Sequence, residues 1–337
     1  MSANLQLDPR VQAIVQAMYT LDRPVIPTRP SDRLTADVAL AMEAKHKGLL
    51  LRGNGRVGKT FGARMLAQTY QWRPYPLTVF EMSYGNPSAS TESYFMNWGI
   101  TSAGLKIIKA ATGPDIIARL CNHLVSRTAM HDEKMIMLIC NEANRFSIEE
   151  YNHLVTLDNE LEGQGKYLFV LQVSQQDADV GGQQGMPGAF PSHITGRFMM
   201  AEHAYTGLLW EKPEDERNEP YDDDVTMALR EYDHGKAACS AHFLPKAAQE
   251  GWTLASQIGD IREEVSELRA QHNLPGLAPW PMKTFECFVY YLLVRATQED
   301  QNLTHFTRDH IRQALRFCGY IQLEQSLYPD RKLKPDP

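Results

Sequence analysis

The 337-residue sequence is poor in cysteine. Cys121, Cys140, Cys239, Cys287 and Cys318 are odd in number, widely spread and form no C-x-x-C pair. That excludes a disulfide framework and a cysteine zinc centre. Long apolar runs are missing too: the longest, Met135 to Cys140 and Phe288 to Val294, fall far short of the roughly 18 residues of a membrane-crossing helix. The start, MSANLQLDPR, lacks the basic-then-apolar order of a secretory leader. There is no internal repeat and no low-complexity tract. His123 with His131, or His305 with His310, shares no helix turn, and no cysteine or carboxylate set completes a metal site. No Ser/His/Asp or Cys/His nucleophile arrangement is supported. The remaining composition, 43% hydrophobic and 22% charged, is that of a folded globular chain. A cytoplasmic protein with no membrane partner is expected.

Charge is unevenly placed. The net charge is −7, yet residues 1–110 carry thirteen Lys/Arg against seven Asp/Glu. Between Glu211 and Asp224, eight acids face only Lys212 and Arg217. The N-terminal third can therefore face an anion, while the acidic stretch reads as a solvated loop.

Hydrophobic periodicity predicts strands at 48–52, 78–83, 135–140 and 167–173, with helices at 60–71, 115–128 and 148–161 between them. Residues 1–20 read as a short amphipathic helix, and Thr35 as the cap of a helix ending near Lys45. Residues 85–104 read as polar and turn-rich, 181–188 as a glycine-rich loop, and 199–210 as ambiguous. Later helices are expected at 223–232, 244–258, 261–272, 282–297 and 308–327. Phe285, Phe288, Tyr290 and Tyr291 read as core or subunit interface. The division expected is an N-terminal helix and linker (1–30), an α/β core (31–210), an acidic loop (211–225), a mostly helical region (226–327) and a tail (328–337). Alternating strands and helices followed by helices alone imply an α/β fold: a parallel sheet flanked by helices, with a helical C-terminal region.

Gly53-Asn54-Gly55-Arg56-Val57-Gly58-Lys59-Thr60 fits G-x-x-x-x-G-K-[ST] in full, between an expected strand and an expected helix. Glycines let successive backbone N–H groups turn toward phosphates, and the helix N-terminus adds partial positive charge. Lys59 is placed for the β and γ phosphates of ATP and Thr60 for Mg²⁺. Phe61 completes the expected nucleotide-binding set.

A nucleoside triphosphatase of this kind needs acids at the end of a second strand. Met135 to Cys140 followed by Asn141-Glu142 is the candidate. Glu142 stands where a carboxylate would orient water and accept its proton. Asn141 stands where an Asp is usual. It can meet a metal-bound water but adds no charge, so Mg²⁺ binding or turnover is expected to weaken. The Asn is either tolerated naturally or was substituted to slow hydrolysis.

The order of these motifs resembles an AAA+ ATPase. By that resemblance Gln172 or Ser174 is the polar sensor at the end of the strand that follows the Asn141-Glu142 strand. Ile194-Thr195-Gly196-Arg197-Phe198 is similar to the arginine-finger box, which implies Arg197 against a neighbouring subunit's γ-phosphate. Lys283, at the start of a late helix, is a sensor-2 candidate. Within AAA+ proteins, Asn141-Glu-Ala-Asn-Arg-Phe146 and the layout over roughly 30–320 resemble the DNA-transposition regulators TnsC, TniB, IstB and MuB.

That resemblance implies ATP-dependent assembly of a homo-oligomeric ring or helical filament around duplex DNA, with a transposase and a target-selection protein as partners. The DNA-contacting span would be 85–111, with Lys106 and Lys109 meeting phosphates without reading sequence. Avidity along an assembly would reconcile DNA binding with a negative chain. Two alternatives stand beside it: an AAA+ switch or remodeller acting on proteins without DNA, and a nucleotide-binding scaffold that no longer hydrolyses ATP.

Overall fold

The computed structural model describes residues 8–20, 22–68, 72–73, 77–83, 91–107, 112–129, 134–175, 190–300 and 302–327. Helices α1 (Pro9–Tyr19) and α2 (Arg29–Glu43) come first. The α/β region runs β1 (Gly48–Gly53), α3 (Lys59–Gln68), β2 (Thr78–Ser83), α4 (Glu92–Ser102), α5 (Gly113–Ala129), β3 (Met135–Asn141), α6 (Ile148–Gly163), β4 (Tyr167–Gln175), α7 (Ser192–Phe198) and β5 (Ala201–Ala204). Then come α8 (Asp224–Asp233), α9 (Ser240–Phe243), α10 (Pro245–Gln249), α11 (Ile258–Gln271), α12 (Met282–Tyr290), α13 (Thr297–Glu299), α14 (Arg308–Phe317) and α15 (Tyr320–Ser326). The described residues fall into two compact units. One is Ser31–Gly55 with Lys59–Tyr205, and the other is Met1–Pro30, Arg56–Gly58 and Thr206–Pro337. No helix among the described residues is long and apolar enough to cross a membrane.

The first unit is built on a parallel sheet in the order β2-β3-β4-β1-β5. Parallel strands are covered on both faces, which is why β3 and β4 are nearly continuous apolar runs rather than alternating ones. Leu138 lies opposite Val170, and Leu50 opposite Gln172. Leu120, Leu124, Leu154, Leu157 and Leu161 from α5 and α6 cover β3 and β4. A capping box starts α6: Ser147 accepts from Glu149 N, and Glu150 accepts from Ser147 N at 2.6 Å.

The second unit is helical, around the stacked pair Trp210 and Trp280, whose ring centroids lie 5.3 Å apart, with Phe285 and Phe288. Buried Arg269 donates to Tyr320 Oη at 2.9 Å and to Glu324. The acidic stretch is not only a solvated loop. Asp223 caps α8, and Asp224, 2% exposed, accepts from Leu209 N at 3.1 Å.

Several expected elements differ from those observed. Helix α4 occupies part of the span read as turn-rich, because Phe95, Met96 and Ile100 bury one face. Thr35 lies inside α2 and its hydroxyl donates to Ser31 O, so it is no cap. The helix expected over 244–258 is broken where Gly251 turns left-handed and Thr253 caps a new turn. The helix expected over 308–327 splits at Gly319, also left-handed. The ambiguous 199–210 segment contains the short edge strand β5. The glycine-rich loop (181–188) and the tail (328–337) lie outside the described residues.

Candidate nucleotide site

The loop between β1 and α3 is shaped by residues that tolerate unusual backbone. A Cβ on Gly53 would meet Tyr205 O at 2.3 Å, so only glycine fits there. Arg56 and Gly58 have φ of 67° and 110°. Such left-handed steps turn consecutive N–H groups inward. Tyr205 braces the loop from below. Its N–H donates to Arg52 O at 2.7 Å, and its hydroxyl lies 3.2 Å from Ser31 Oγ. Lys59 is 8% exposed, and its Nζ donates to Gly53 O and Asn54 O, both at 2.6 Å. The ammonium is thus held over the loop it is expected to serve. Thr60 follows at the start of α3, and Phe61 is an exposed aromatic beside it.

Strand β4 lies between β1 and β3, so the end of β3 reaches the same edge of the sheet as the phosphate loop. Asn141 ends β3 and is 6% exposed. Its Nδ2 donates to Glu81 Oε1 at 2.6 Å and lies 3.5 Å from Ser83 Oγ. Its Oδ1 is buried with no hydrogen-bond partner among the described residues. A buried orphaned acceptor calls for a donor or a cation. With the hydroxyl of Thr60, it is the oxygen-donor chemistry that Mg²⁺ and its waters take, so the residues present fit that ion.

Glu81 lies on β2. It accepts from Arg64 Nε and Nη2 at 2.8 and 2.7 Å. Arg64 sits one helical turn beyond Thr60 on α3, hence on the same helix face. The fork from Arg64 holds the Glu81 carboxyl below its ordinary range, against opposing desolvation and with help from Asn141. The pair is partly exposed, so it matters for geometry more than for stability.

Glu142 has φ 60° and ψ 34°, a left-handed conformation rare for a residue with a Cβ. The strain is on the order of 1–2 kcal/mol. It places a half-exposed carboxylate directly beyond the sheet edge, 3.7 Å from Arg145 Nη2.

The sensor candidates separate clearly. Gln172 is fully buried. It accepts from Tyr151 Oη at 2.6 Å and donates to Phe198 O at 2.5 Å, so both ends of its amide are committed to packing. Ser174 is buried on the same face of β4. Gln175, not among the expected sensor residues, ends β4 opposite Gly53, and its Nε2 lies 3.1 Å from where a Gly55 Cβ would be. It is the amide that borders the phosphate loop. The polar run Ser174-Gln175-Gln176 closing an apolar strand was the available signal. Glu81 was likewise missed; an acid inside TVFEMS was its only trace.

Arg197 lies in the last turn of α7 and bonds within its own chain, to Asp158 Oδ2 at 3.1 Å and Asn159 Oδ1 at 2.8 Å. Lys47 shares Asp158 at 2.8 Å. Lys283 opens α12 in the helical unit. Lys106 is exposed on the segment after α4, while 85–90 and 108–111 of the expected DNA-contacting span, Lys109 among them, lie outside the described residues. No group of three or more His, Cys, Asp or Glu suited to a metal is found among the described residues.

No family model and no curated protein matches the sequence. Solved structures do. Cdc6p from Pyrobaculum aerophilum is 12% identical, with a TM-score of 0.53, over 89% of this chain and 70% of that one. The Aeropyrum pernix ORC2 protein is 11% identical, with a TM-score of 0.49, over 92% and 72%. At such identity the likeness speaks to fold alone. The likeness to Cdc6p, together with the five-stranded parallel sheet and the phosphate-loop motif that follows β1, shows the fold: an α/β P-loop nucleoside triphosphatase fold, a parallel sheet flanked by helices, followed by a helical C-terminal region.

Proposed function

We propose that the chain binds ATP with Mg²⁺ and acts as a regulator of DNA transposition. In this reading it assembles on duplex DNA and links target selection to a transposase. The observation that carries the nucleotide part is the complete phosphate loop at the parallel-sheet edge, with Lys59 already over it. The loop N–H groups and Lys59 hold the phosphates. Thr60 and Asn141 offer oxygens toward the metal site, where the bound ion would offset charge building on the phosphate oxygens. Glu142 orients the attacking water and takes its proton. Gln175 is the reading preferred for the sensor, because Gln172 is spent on Tyr151 and Phe198.

The transposition part rests on Asn141-Glu-Ala-Asn-Arg-Phe146 and on the Ile194–Phe198 segment. Arg197 would exchange Asp158 and Asn159 for a neighbour's γ-phosphate, which couples ATP to assembly through one guanidinium. The net charge of −7 favours a second reading, an ATP-driven switch acting on proteins without DNA.

Light scattering and negative-stain microscopy separate the two. The samples are protein alone, with ATP·Mg²⁺, with duplex DNA, and with both, each beside Lys59→Ala. Large regular assemblies only with both ligands, lost in Lys59→Ala, are expected. Assembly with ATP that ignores DNA would move the conclusion to the second reading. No assembly under any condition would remove Arg197 from an intersubunit role.

A further inference from the structure

The negative charge missing from the end of β3 is present one strand away. Glu81 and Asn141 lie on neighbouring parallel strands whose register pairs Glu81 with Ile139 and Ser83 with Asn141, so all four residues share one face of the sheet. The Glu81 and Asn141 side chains meet at 2.6 Å, amide nitrogen to carboxylate oxygen. Arg64 holds both oxygens of the same carboxylate, Oε2 through Nε at 2.8 Å and Oε1, the oxygen that also accepts from Asn141, through Nη2 at 2.7 Å.

A carboxylate held in a guanidinium fork has only lone pairs to offer. The amide beside it must therefore present its NH₂ group. An unrestrained Asn can turn its amide over, because O and N are nearly the same size. Here that freedom is gone. With Nδ2 committed to Glu81, Oδ1 is the atom left to accept, and it is buried and unpartnered among the described residues.

We propose that Arg64 and Glu81 form a positioning relay that fixes the Asn141 amide with its carbonyl oxygen available to the Mg²⁺ of a bound nucleotide, so that β2 and β3 share, as carboxylate and amide, the role that one acid performs elsewhere. The inference rests on the nucleotide reading above. Glu81 is a positioning residue; it acts through Asn141.

The arrangement has a reciprocal consequence. Asn141→Asp alone sets two carboxylates at hydrogen-bond distance, and like charges there repel. It does not improve the site. Asn141→Asp combined with Glu81→Gln exchanges the two groups: the amide introduced on β2, still within reach of Arg64 and its neighbour strand, donates to the carboxylate introduced on β3, which keeps an oxygen for the metal. The pair tolerates either order of acid and amide but not two acids.

The test is a four-way comparison of wild type, Glu81→Gln, Asn141→Asp and the double variant. ATP binding is measured by calorimetry with Mg²⁺ and with EDTA, and the ratio of the two affinities is the readout. Outer-sphere partners of metal ligands are worth about 10- to 100-fold in affinity. The ratio is expected to fall by about 10-fold or more in each single variant. It is expected to recover to within about 3-fold of wild type in the double, a residue smaller than half of the roughly 1.4 kcal/mol that a tenfold change represents. Melting without nucleotide checks the contact itself: Asn141→Asp is expected to melt below the double variant. If Glu81→Gln keeps the wild-type ratio, or Asn141→Asp raises it and the second change adds nothing, the relay is wrong while the nucleotide site stands. If wild type shows no Mg²⁺-dependent ATP binding, the nucleotide reading falls and the relay with it.

Discussion

Gln172 and Gln175 are three residues apart on one strand, and the structure gives them opposite work. Replacing Gln172 by Leu keeps a side chain of similar bulk in the core but removes both hydrogen bonds of the amide. The Tyr151 hydroxyl and the Phe198 carbonyl are then left buried without those partners; Tyr151 and Phe198 are 2% and 0% exposed. Each orphaned group costs about 1–3 kcal/mol. Part of that is returned by the more apolar side chain, so the net loss is about 3 kcal/mol. For a unit of this size, about 2–4 °C is lost per kcal/mol, giving a fall in Tm of about 6–12 °C. Gln175→Ala, at the exposed end of the same strand, is expected to move Tm by less than about 2 °C, in line with substitutions outside the core. Its effect should instead fall on turnover and on nucleotide-dependent assembly. Differential scanning calorimetry with parallel ATP titrations reads both. The reasoning fails if Gln172→Leu melts like wild type, or if it leaves stability intact and abolishes ATP response while Gln175→Ala does nothing.

Other perturbations follow from the same geometry. Glu142→Gln should lower ATP turnover by about 10²-fold or more while ATP binding persists, since only proton acceptance is removed; malachite-green release beside calorimetry checks it. Glu142→Gly should raise Tm slightly, as the left-handed strain of about 1 kcal/mol is relieved, and yet lose turnover. Arg197→Ala should cost only about 1 kcal/mol of stability, because Asp158 keeps Lys47 at 2.8 Å; sedimentation should show loss of ATP-driven assembly if the arginine serves in trans. Burial pushes the Cys121 thiol up to about 11 and the Cys239 thiol up to about 12, and Cys140 higher still. At pH 8 these three should resist maleimide in the native protein and react fully in denaturant, as mass spectrometry of the labelled protein would show.

Much of the fold was legible because its signals are local. A parallel strand buried on both faces must be apolar throughout, so GLLLR, MIMLIC and YLFVLQV announce themselves. The phosphate loop was legible because glycine and lysine spacing follow from backbone geometry alone. The breaks at Gly251 and Gly319 were not, since helical periodicity continues past both and only the left-handed φ ends the helices. Lys59, Thr60 and Glu142 could be placed from the chain at the start of α3 and just past the end of β3, where the structure has them. Glu81 could not, because its meaning arises from β2 lying beside β3, a pairing across 60 residues. Gln172 was a sensor candidate by resemblance alone; its partners Tyr151 and Phe198 come from two other elements, and only the fold shows that both ends of its amide are engaged by them.

The strand order carries a consequence for synthesis. Strand β1 has no early neighbour: Gly48 pairs with Val170 on one side, and Leu49 with Ala201 on the other. A ribosome adding about 5–20 residues per second takes about 6–24 s to go from Gly48 to Val170. Throughout that interval Leu49, Leu50 and Leu51 have no strand to lie against, whereas β2 and β3 can associate as soon as Asn141 has been added, before β4 exists. The phosphate loop is therefore among the last parts of the sheet edge to be fixed on the nascent chain.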